Sequence, residues 1–236
     1  MQHVHGFRFV LAAALAATCI AATAATPPLP AFTARYRLTQ NGVPIGNATL
    51  KLAPGPGNSW TFTTSSKGTA GLAAALGASI RETSTFTWAG DLPQCERYQY
   101  TLDSALKSSR RNMRCNWTNH TVQVDDKGSH TFAAVPGTLE RHTVPLAIAA
   151  GLAAGKSDFT LPVAVLDRVE MQHFEAQAKQ NVSVPAGTFN ATPIARTGDG
   201  GDFEAWFAPA RLPVPIKIEQ RGKGAFTLEL ESWSKK

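Results

Sequence analysis

Residues 182–231 consist of short runs of alternating apolar and polar side chains, and each run ends in glycine or proline. The breaks fall at residues 185–187, 198–201, 209–213 and 222–224. Alternation with a turn roughly every ten residues is typical of an antiparallel meander, because successive side chains of a strand point to opposite faces. This feature therefore predicts an antiparallel sheet in the last third of the chain. It contains no catalytic motif, so it predicts architecture and not activity.

Most of the preceding chain follows the same pattern. Asn41-Gly42 separates two alternating runs and is a strong signal for a hairpin turn. Residues 59–65 and 80–88 are rich in threonine and aromatic side chains, which favour strands. Residues 168–180 suit either a helix or a long strand, and we predict a strand because they run directly into the meander. The chain is therefore predicted to be mainly β.

Two alanine-rich segments, residues 68–79 and 143–155, interrupt the β pattern and predict short helices. In the second segment Thr143 is a candidate N-cap and Pro145 lies in the first turn. A helix that is apolar on all sides is normally buried, so these helices are expected to fill the concavity of a curved sheet. The alternative is that they line or cover an apolar cavity. In that case the predicted ligand contacts are Leu72, Leu76, Leu146, Ile148 and Leu152.

The N-terminus indicates export. Arg8 precedes a short apolar run that ends in small residues at 22–24, which fits a cleaved signal peptide over residues 1–25. The remaining residues, 26–236, are predicted to form a single domain in the periplasm. The run is too short and too rich in alanine for a firm membrane anchor. An alternative is lipid attachment at Cys19, although the preceding Thr18 is a poor match to a lipidation site.

Two cysteines remain after the leader, Cys95 and Cys115, and an oxidising compartment favours their pairing. A hairpin turn centred on Ala105 places them opposite each other, which predicts a cross-strand disulfide. The same register sets Tyr98 against Asn112 and leaves neither face of the hairpin apolar. A β-bulge in the hairpin corrects this. No Cys-x-x-Cys pair points to redox catalysis.

The charge of the chain is mildly basic. The full sequence carries a formal charge of +6, and removal of Arg8 with the leader leaves +5. This excess is too small and too dispersed to indicate nucleic-acid binding. The densest basic run is Lys107, Arg110, Arg111 and Arg114. It is interpreted as a solvated strand face, and the alternative is weak association with an anionic membrane surface.

No linear motif for catalysis is present, since the chain lacks H-E-x-x-H, G-x-S-x-G and Walker sequences. No enzyme activity, catalytic residue, cofactor or metal site is therefore predicted. The acidic pairs at residues 125–126 and 199–202 are interpreted as polar turns and not as metal sites. The histidines after the leader lie on separate predicted elements and are expected at surfaces or turns. They are His120, His130, His142 and His173.

A series of short motifs resembles one known family. The motifs are Tyr36, the Asn41-Gly42 turn, residues 68–72, Val-Pro-Ala-Gly-Thr-Phe at 184–189, Trp-Phe-Ala-Pro at 206–209 and Leu-Pro-Val-Pro-Ile-Lys-Ile at 212–218. Their order resembles the bacterial exported family labelled domain of unknown function 3108, over nearly all of the chain after the leader. The resemblance implies a curved antiparallel sheet, an open half-barrel, wrapped around one or two short apolar helices. It implies no reaction, because fold alone does not define function.

Three functional hypotheses follow from these features. The first is a non-catalytic binding or carrier protein for an apolar or lipid-like ligand in the cell envelope. The second is a structural or assembly partner of envelope proteins, which binds them through an exposed sheet edge. The third is an envelope enzyme whose site has no linear motif, in which case a buried polar cluster around a histidine is expected.

Overall fold

A computed structural model describes residues 26–198, 202–222 and 224–236. The predicted signal peptide, residues 1–25, and the alternative lipidation site at Cys19 lie outside the described residues. Within them the chain is mainly β, with two short α-helices and a 3₁₀ turn. The helices are α1 (Gly71–Ala75) and α2 (Val144–Ala153), and the 3₁₀ turn is Arg141–Thr143.

The strands follow one another along almost the whole described chain. They are β1 (Phe32–Gln40), β2 (Val43–Pro54), β3 (Ser59–Gly68), β4 (Ser79–Ala89), β5 (Leu92–Asp103), β6 (Ser108–Asn116), β7 (Thr121–Asp125), β8 (Ser129–Ala133), β9 (Leu139–Glu140), β10 (Asp158–Ala164), β11 (Val169–Ala176), β12 (Gln180–Val184), β13 (Gly187–Thr197), β14 (Phe203–Phe207), β15 (Pro215–Gln220) and β16 (Phe226–Lys235). The predicted strand over residues 168–180 is confirmed as β11, and the predicted meander is confirmed as β12 to β16.

These strands form one large, open and largely antiparallel sheet, as expected. Its order is β8-β7-β6-β5-β4-β3-β2-β1-β16-β15-β14-β13-β11-β10-β9, with β12 added beside β13. The short β9 pairs in parallel with β10. The backbone N–H of Cys95 donates to the carbonyl oxygen of Thr138 at 3.1 Å, which brings the β9 edge against β5. The sheet therefore curls almost into a barrel, and β6 to β8 extend beyond the point where it closes.

Helix α2 fills the concavity of the curled sheet. Seven of its ten residues are buried, including Leu146 and Ile148. Gly151 lies so close to β10 that an added Cβ would be 2.5 Å from Cε1 of Phe159. Thr143 occupies the N-cap position but does not cap the helix with its side chain. Its hydroxyl donates instead to the carbonyl oxygen of Glu140 at 3.0 Å.

Helix α1 does not pack in this core. It has only five residues, connects the outer ends of β3 and β4, and contains no buried residue. The expectation that both alanine-rich segments are buried is therefore wrong for residues 68–79. Apolar composition indicated a helix correctly, but the segment lies beyond the end of the sheet, where no second layer of the described residues covers it.

The predicted disulfide is confirmed between Cys95 and Cys115, whose Cα atoms are 5.9 Å apart. The predicted β-bulge is also present, and beyond it the register of the hairpin is shifted by one residue, so that Tyr98 faces Met113 and not Asn112. A bulge between β4 and β5 leaves Glu96 without a partner on β4 and turns Cys95 and Tyr98 to the same face. Met113 is buried with them, so the inner face of the hairpin is apolar after all.

Candidate functional site

The side chains predicted to contact an apolar ligand do not come together. Leu146 and Ile148 are buried in the core beneath the sheet, and Leu152 is partly buried beside them. Leu72 lies 72% exposed on α1. Leu76 follows α1 and is partly buried. The two best-formed cavities of the described chain are lined by other residues, so ligand contact by these leucines stays a prediction.

A buried polar cluster surrounds His142 at the start of α2. The Nδ1 atom of His142 lies 2.7 Å from Oγ of Ser84. Its Nε2 atom lies 2.8 Å from Oγ1 of Thr64. The ring stacks on Phe62 with 4.5 Å between the ring centroids. His142 therefore lies in a turn, as expected, but this turn is buried and not at the surface, because the contact of β9 with β5 carries it inside the curled sheet.

Glu140 is the second buried titratable group of this cluster. It is 1% exposed, and one carboxylate oxygen accepts the backbone N–H of His142 at 2.7 Å. The other oxygen, Oε1, is buried without a partner among the described residues. Burial raises the pKa of Glu140 above its usual value, although the charge of His142 and hydrogen bonds oppose the shift. A raised pKa favours the neutral acid in the folded protein.

Glu82 connects the cluster to the surface. The Tyr98 hydroxyl donates to Oε1 of Glu82 at 2.6 Å, and Arg141 lies 3.5 Å from the same oxygen. Burial acts to raise the pKa of Glu82, but His142, Arg141 and the Tyr98 hydrogen bond outweigh it, so the pKa is lowered. Burial raises the pKa of the Tyr98 hydroxyl. Glu82 is therefore an ionised carboxylate beside a neutral phenol.

The geometry of the cluster supports a structural role. The Ser84–His142 distance matches that of a nucleophile and its base, but Ser84 is only 1% exposed and offers a substrate no approach. In a catalytic triad the acid also orients the imidazole ring. Here Glu140 instead accepts the backbone N–H of His142. The cluster fixes the start of α2 to β3 and β4.

An exposed apolar surface occupies the end of the sheet near α1. We call it the apolar tip and define it by Val43, Leu72, Leu76, Ala105 and Leu106. Val43 is 62% exposed and Leu106 is 78% exposed. The backbone N–H of Ala105 donates to the carbonyl oxygen of Leu76 at 2.9 Å, which joins the β5–β6 turn to the end of α1. Exposed apolar side chains that lie near one another make this end of the sheet a candidate interaction surface.

A second set of contacts ties α1 to the β1–β2 hairpin. The N–H groups of Thr69 and Ala70 both donate to the carbonyl oxygen of Ile45, at 2.9 and 3.3 Å. Beyond Gly77, which has a φ of +59°, the chain turns back into β4. Three hairpin ends therefore meet in one surface. Half of the large apolar side chains that are exposed in the described chain belong to this tip, namely Val43, Leu72 and Leu106.

Basic side chains surround the apolar tip. They form the basic rim: Lys67, Arg81, Lys107 and Arg110, all exposed. No ion pair involves any of these four within the described residues. Asp103 is the acidic residue nearest to them in the strand register, and it accepts the Ser108 hydroxyl at 2.9 Å. Arg111, from the same predicted basic run, instead donates to Asp126 at 2.9 Å.

A polar cavity of about 310 Å³ opens beside the tip on the outer face of β3, β4 and β5. It combines the cationic side chains Lys67 and Arg81 with hydroxyl groups and one carboxylate. Its lining is Ser65, Ser66, Lys67, Ser79, Ile80, Arg81, Thr101 and Asp103. Hydroxyl and cationic donors of this kind are suited to an anionic oxygen ligand such as phosphate.

The family model described as protein of unknown function (DUF3108) matches residues 35–231. The chain belongs to this family. The match spans every strand from β1 to β16 and includes the residues of the tip, the rim and the His142 cluster. No curated protein matches the chain.

A solved structure supports the fold of this DUF3108 protein. It is the crystal structure of a beta-barrel-like protein of domain of unknown function DUF1849 from Brucella abortus, with a TM-score of 0.58. The match covers 89% of this chain and 100% of that chain, at 12% sequence identity. At this identity the likeness shows the curled-sheet architecture and nothing about activity.

The remaining observations concern the compartment. The Cys95–Cys115 disulfide is consistent with an extracytoplasmic location, because disulfides persist in oxidising compartments. Neither α1 nor α2, nor any other helix of the described chain, is long and apolar enough to cross a membrane.

The described residues also contain no group of at least three histidine, cysteine or acidic side chains that could hold a metal ion.

The sequence did not predict that the residues of the polar cluster lie together, or that those of the basic rim do. Glu140 and His142 lie directly before the second alanine-rich segment, which is a weak signal that two titratable side chains enter the core with it. The basic rim could not be predicted from a single basic stretch of the sequence, because Lys67 and Arg81 lie far from Lys107 in the sequence. Strand register brings them to the same end of the sheet.

Proposed function

We propose that this protein is a non-catalytic lipid-binding protein of the cell envelope, which contacts anionic lipid through the apolar tip and the basic rim. The observation that carries the proposal is that three exposed apolar hairpin ends and a cationic, hydroxyl-lined cavity lie at the same end of the sheet. The leucines suit acyl chains, and Lys67 and Arg81 suit a phosphate headgroup. The ligand class is the one that the sequence suggested, but the site lies outside the concavity.

The transfer and electrostatic free energies of these side chains favour reversible association with a membrane surface. Transfer of Val43, Leu72 and Leu106 out of water contributes about 1.5 kcal/mol for each side chain. Each rim cation near an anionic bilayer adds about 1 kcal/mol, and Asp103 offsets one of them. These contributions sum to about 7 to 8 kcal/mol of binding free energy, before the cost of the translational and rotational entropy that the protein loses on binding. This free energy corresponds to a micromolar dissociation constant at best. Such binding is sensitive to salt, since exposed charges are screened.

A carrier site inside the half-barrel has less support. Helix α2 occupies the concavity, and Gly151 is in close contact with Phe159 there. Leu146 and Ile148 are fully packed in the same core. An acyl chain could reach them only if α2 moved away from β10. The tip, in contrast, is exposed without any rearrangement.

Vesicle flotation tests the proposal. The purified protein is mixed with vesicles of phosphatidylethanolamine and phosphatidylglycerol, and with vesicles of phosphatidylcholine as a neutral reference. Binding to the anionic vesicles is expected, with a decrease at high salt. The double variant Leu72→Ser, Leu106→Ser is expected to bind at least about tenfold more weakly, because two leucines contribute about 3 kcal/mol.

The matched control is the double variant Leu166→Ser, Met171→Ser. Both side chains are exposed apolar residues outside the tip, so vesicle binding is expected to be unchanged. Equal binding of the tip variant and the wild type contradicts the proposal, and so does failure of the wild-type protein to bind anionic vesicles. Circular dichroism of all variants confirms that the sheet is retained.

A further inference from the structure

A second cavity lies along β16, away from the apolar tip. We call it the edge groove; it has a volume of about 350 Å³ and its lining is Ala186, Phe189, Arg211, Leu212, Leu230, Glu231, Ser232 and Trp233. Its position follows from β1, whose Ala34 faces Trp233, whose Tyr36 faces Leu230 and whose Gln40 faces Val43 of the tip. Four to six residue steps of β1 therefore separate the groove from the tip, a distance of about 14 to 20 Å.

One side of the groove is a free strand edge. β16 pairs with β1 along almost its whole length, from Thr227 to Lys235. It pairs with β15 only from Phe226 to Glu229. From Leu230 onward no described strand pairs with β16 on the side away from β1. Unpaired backbone groups on a sheet edge are a template for an additional strand.

The chain before β15 turns away from this edge and so creates the gap. The N–H groups of Arg211 and Leu212 both donate to the carbonyl oxygen of Ala208 at 2.9 Å, which forms a compact turn between β14 and β15. Leu212 remains as the opposite wall of the groove. The distance between this turn and β16 is therefore set by local hydrogen bonds.

The edge already accepts one hydrogen bond from another part of the chain. The N–H of Ala186, in the turn between β12 and β13, donates to the carbonyl oxygen of Leu230 at 2.9 Å. Ala186 closes one end of the groove by this contact. The next residues of β16, Glu231 to Trp233, line the groove without such a partner from β15.

Apolar side chains form the floor of the groove. Phe189 and Leu230 are buried there, and Trp233 is half-buried. The indole Nε1 of Trp233 is buried without a hydrogen-bond partner among the described residues. A carbonyl or carboxylate oxygen of a bound segment is an acceptor that could pair with it, which a purely apolar ligand could not do.

The charges around the groove favour an acidic partner. Arg211 is exposed, with its guanidinium 4.9 Å above the ring of Phe189. Lys235 and Lys236 are exposed at the end of β16. Glu231 is the one acidic residue in the lining of the groove. Electrostatic complementarity therefore selects a ligand with negative charge.

We propose that the edge groove binds an extended, acidic segment of a partner protein, which adds to the free edge of β16 as a further strand. Its backbone pairs with residues 231–235, one apolar side chain enters the floor at Phe189, and an acidic side chain meets Arg211. The site is separate from the tip, so it goes beyond lipid binding. Together the two sites hold a partner chain about 14 to 20 Å from a lipid surface.

A peptide titration tests this inference with the full chain. The probe is an acetylated, amidated hexapeptide of alternating valine and glutamate, and the reference probe replaces glutamate by lysine. Calorimetry is expected to show saturable binding of the acidic probe only. Arg211→Glu is expected to weaken that binding at least about tenfold, since a close opposite charge is replaced by a like charge. Arg168→Glu, an exposed site on another turn, is the matched control and is expected to bind normally.

Further measurements identify what binds in the edge groove. Amide hydrogen exchange is expected to slow at residues 231–233 when the acidic probe binds. The tip variant Leu72→Ser, Leu106→Ser is expected to keep peptide binding, which separates this inference from the proposed lipid function. Equal binding of the lysine probe, or unchanged binding by Arg211→Glu, overturns the inference. A concentration-dependent dimer that Arg211→Glu dissociates overturns it too, because the occupant is then a second copy of the chain.

Discussion

The Nδ1 atom of His142 lies 2.7 Å from the Oγ atom of Ser84, although the two residues are 58 positions apart in the sequence. This contact ties the turn before α2 to β4. The opposite ring nitrogen lies 2.8 Å from Thr64 on β3. One side chain therefore holds the helix inside the curled sheet, and the stability of the half-barrel depends on it.

Substitution of His142 by alanine is expected to destabilise the protein by about 2 to 4 kcal/mol. The variant leaves the buried hydroxyls of Ser84 and Thr64 without their partner and removes the stacking on Phe62. Urea denaturation followed by circular dichroism measures the change. The control His130→Ala removes an exposed histidine and is expected to change the free energy of unfolding by less than about 0.5 kcal/mol. Equal losses in the two variants contradict a special role for His142.

The raised pKa of Glu140 predicts a specific pH dependence. Because the folded protein holds this proton more tightly than the unfolded chain, the contribution of Glu140 is present at low pH and is lost as pH rises through the folded pKa. The variant Glu140→Gln cannot ionise but keeps an oxygen for the N–H of His142. Its stability relative to the wild type is therefore expected to increase as pH rises above about 4.

The measurement is a series of urea denaturations of both proteins from acid to neutral pH. Glu82, whose pKa is lowered, loses its stabilising contribution as pH falls, but this occurs in both proteins and cancels in the difference. The neighbouring residues Arg141 and His142 are present in both proteins. A difference that stays constant over the whole range contradicts the raised pKa.

Loss of the disulfide is expected to lower the free energy of unfolding by about 3 kcal/mol. Cys95 and Cys115 are separated by 20 positions, so the bond restricts a loop of moderate length in the unfolded chain. The variant Cys95→Ser, Cys115→Ser and the reduced wild-type protein should unfold at the same denaturant concentration, below that of the oxidised protein. If reduction leaves the unfolding midpoint of the wild type unchanged, the bond is not a stabilising element.

The parts of the fold that sequence predicted are those fixed by local chemistry. Asn41 and Gly42 both adopt positive φ angles, +50° and +78°, and this turn was predicted from the residue pair alone. The disulfide was also predicted, and the mixed faces of a regular hairpin indicated a bulge. The position of the bulge at Glu96 could not be predicted, because no residue pattern marks where the extra residue lies.

The candidate sites were harder to predict because they depend on contacts between distant residues. His142 is buried only because β9 meets β5, which requires the whole sheet to curl first. The burial of α1 was predicted wrongly, since an apolar segment has the same composition in a core and at an exposed tip. The sheet edge at Leu230 likewise results from where β15 begins, and no residue of β16 signals it.

A test of packing around α2 decides whether the concavity has room for a ligand. An added Cβ at Gly151 would lie 2.5 Å from Phe159, so Gly151→Val is expected to destabilise the protein by about 1 to 3 kcal/mol through overpacking. Gly128→Val is the control, because an added Cβ there meets nothing within 4 Å. Thermal unfolding measures both. If Gly151→Val unfolds at the temperature of the wild type, the concavity is roomy, and a lipid carrier site at Leu146, Ile148 and Leu152 regains support.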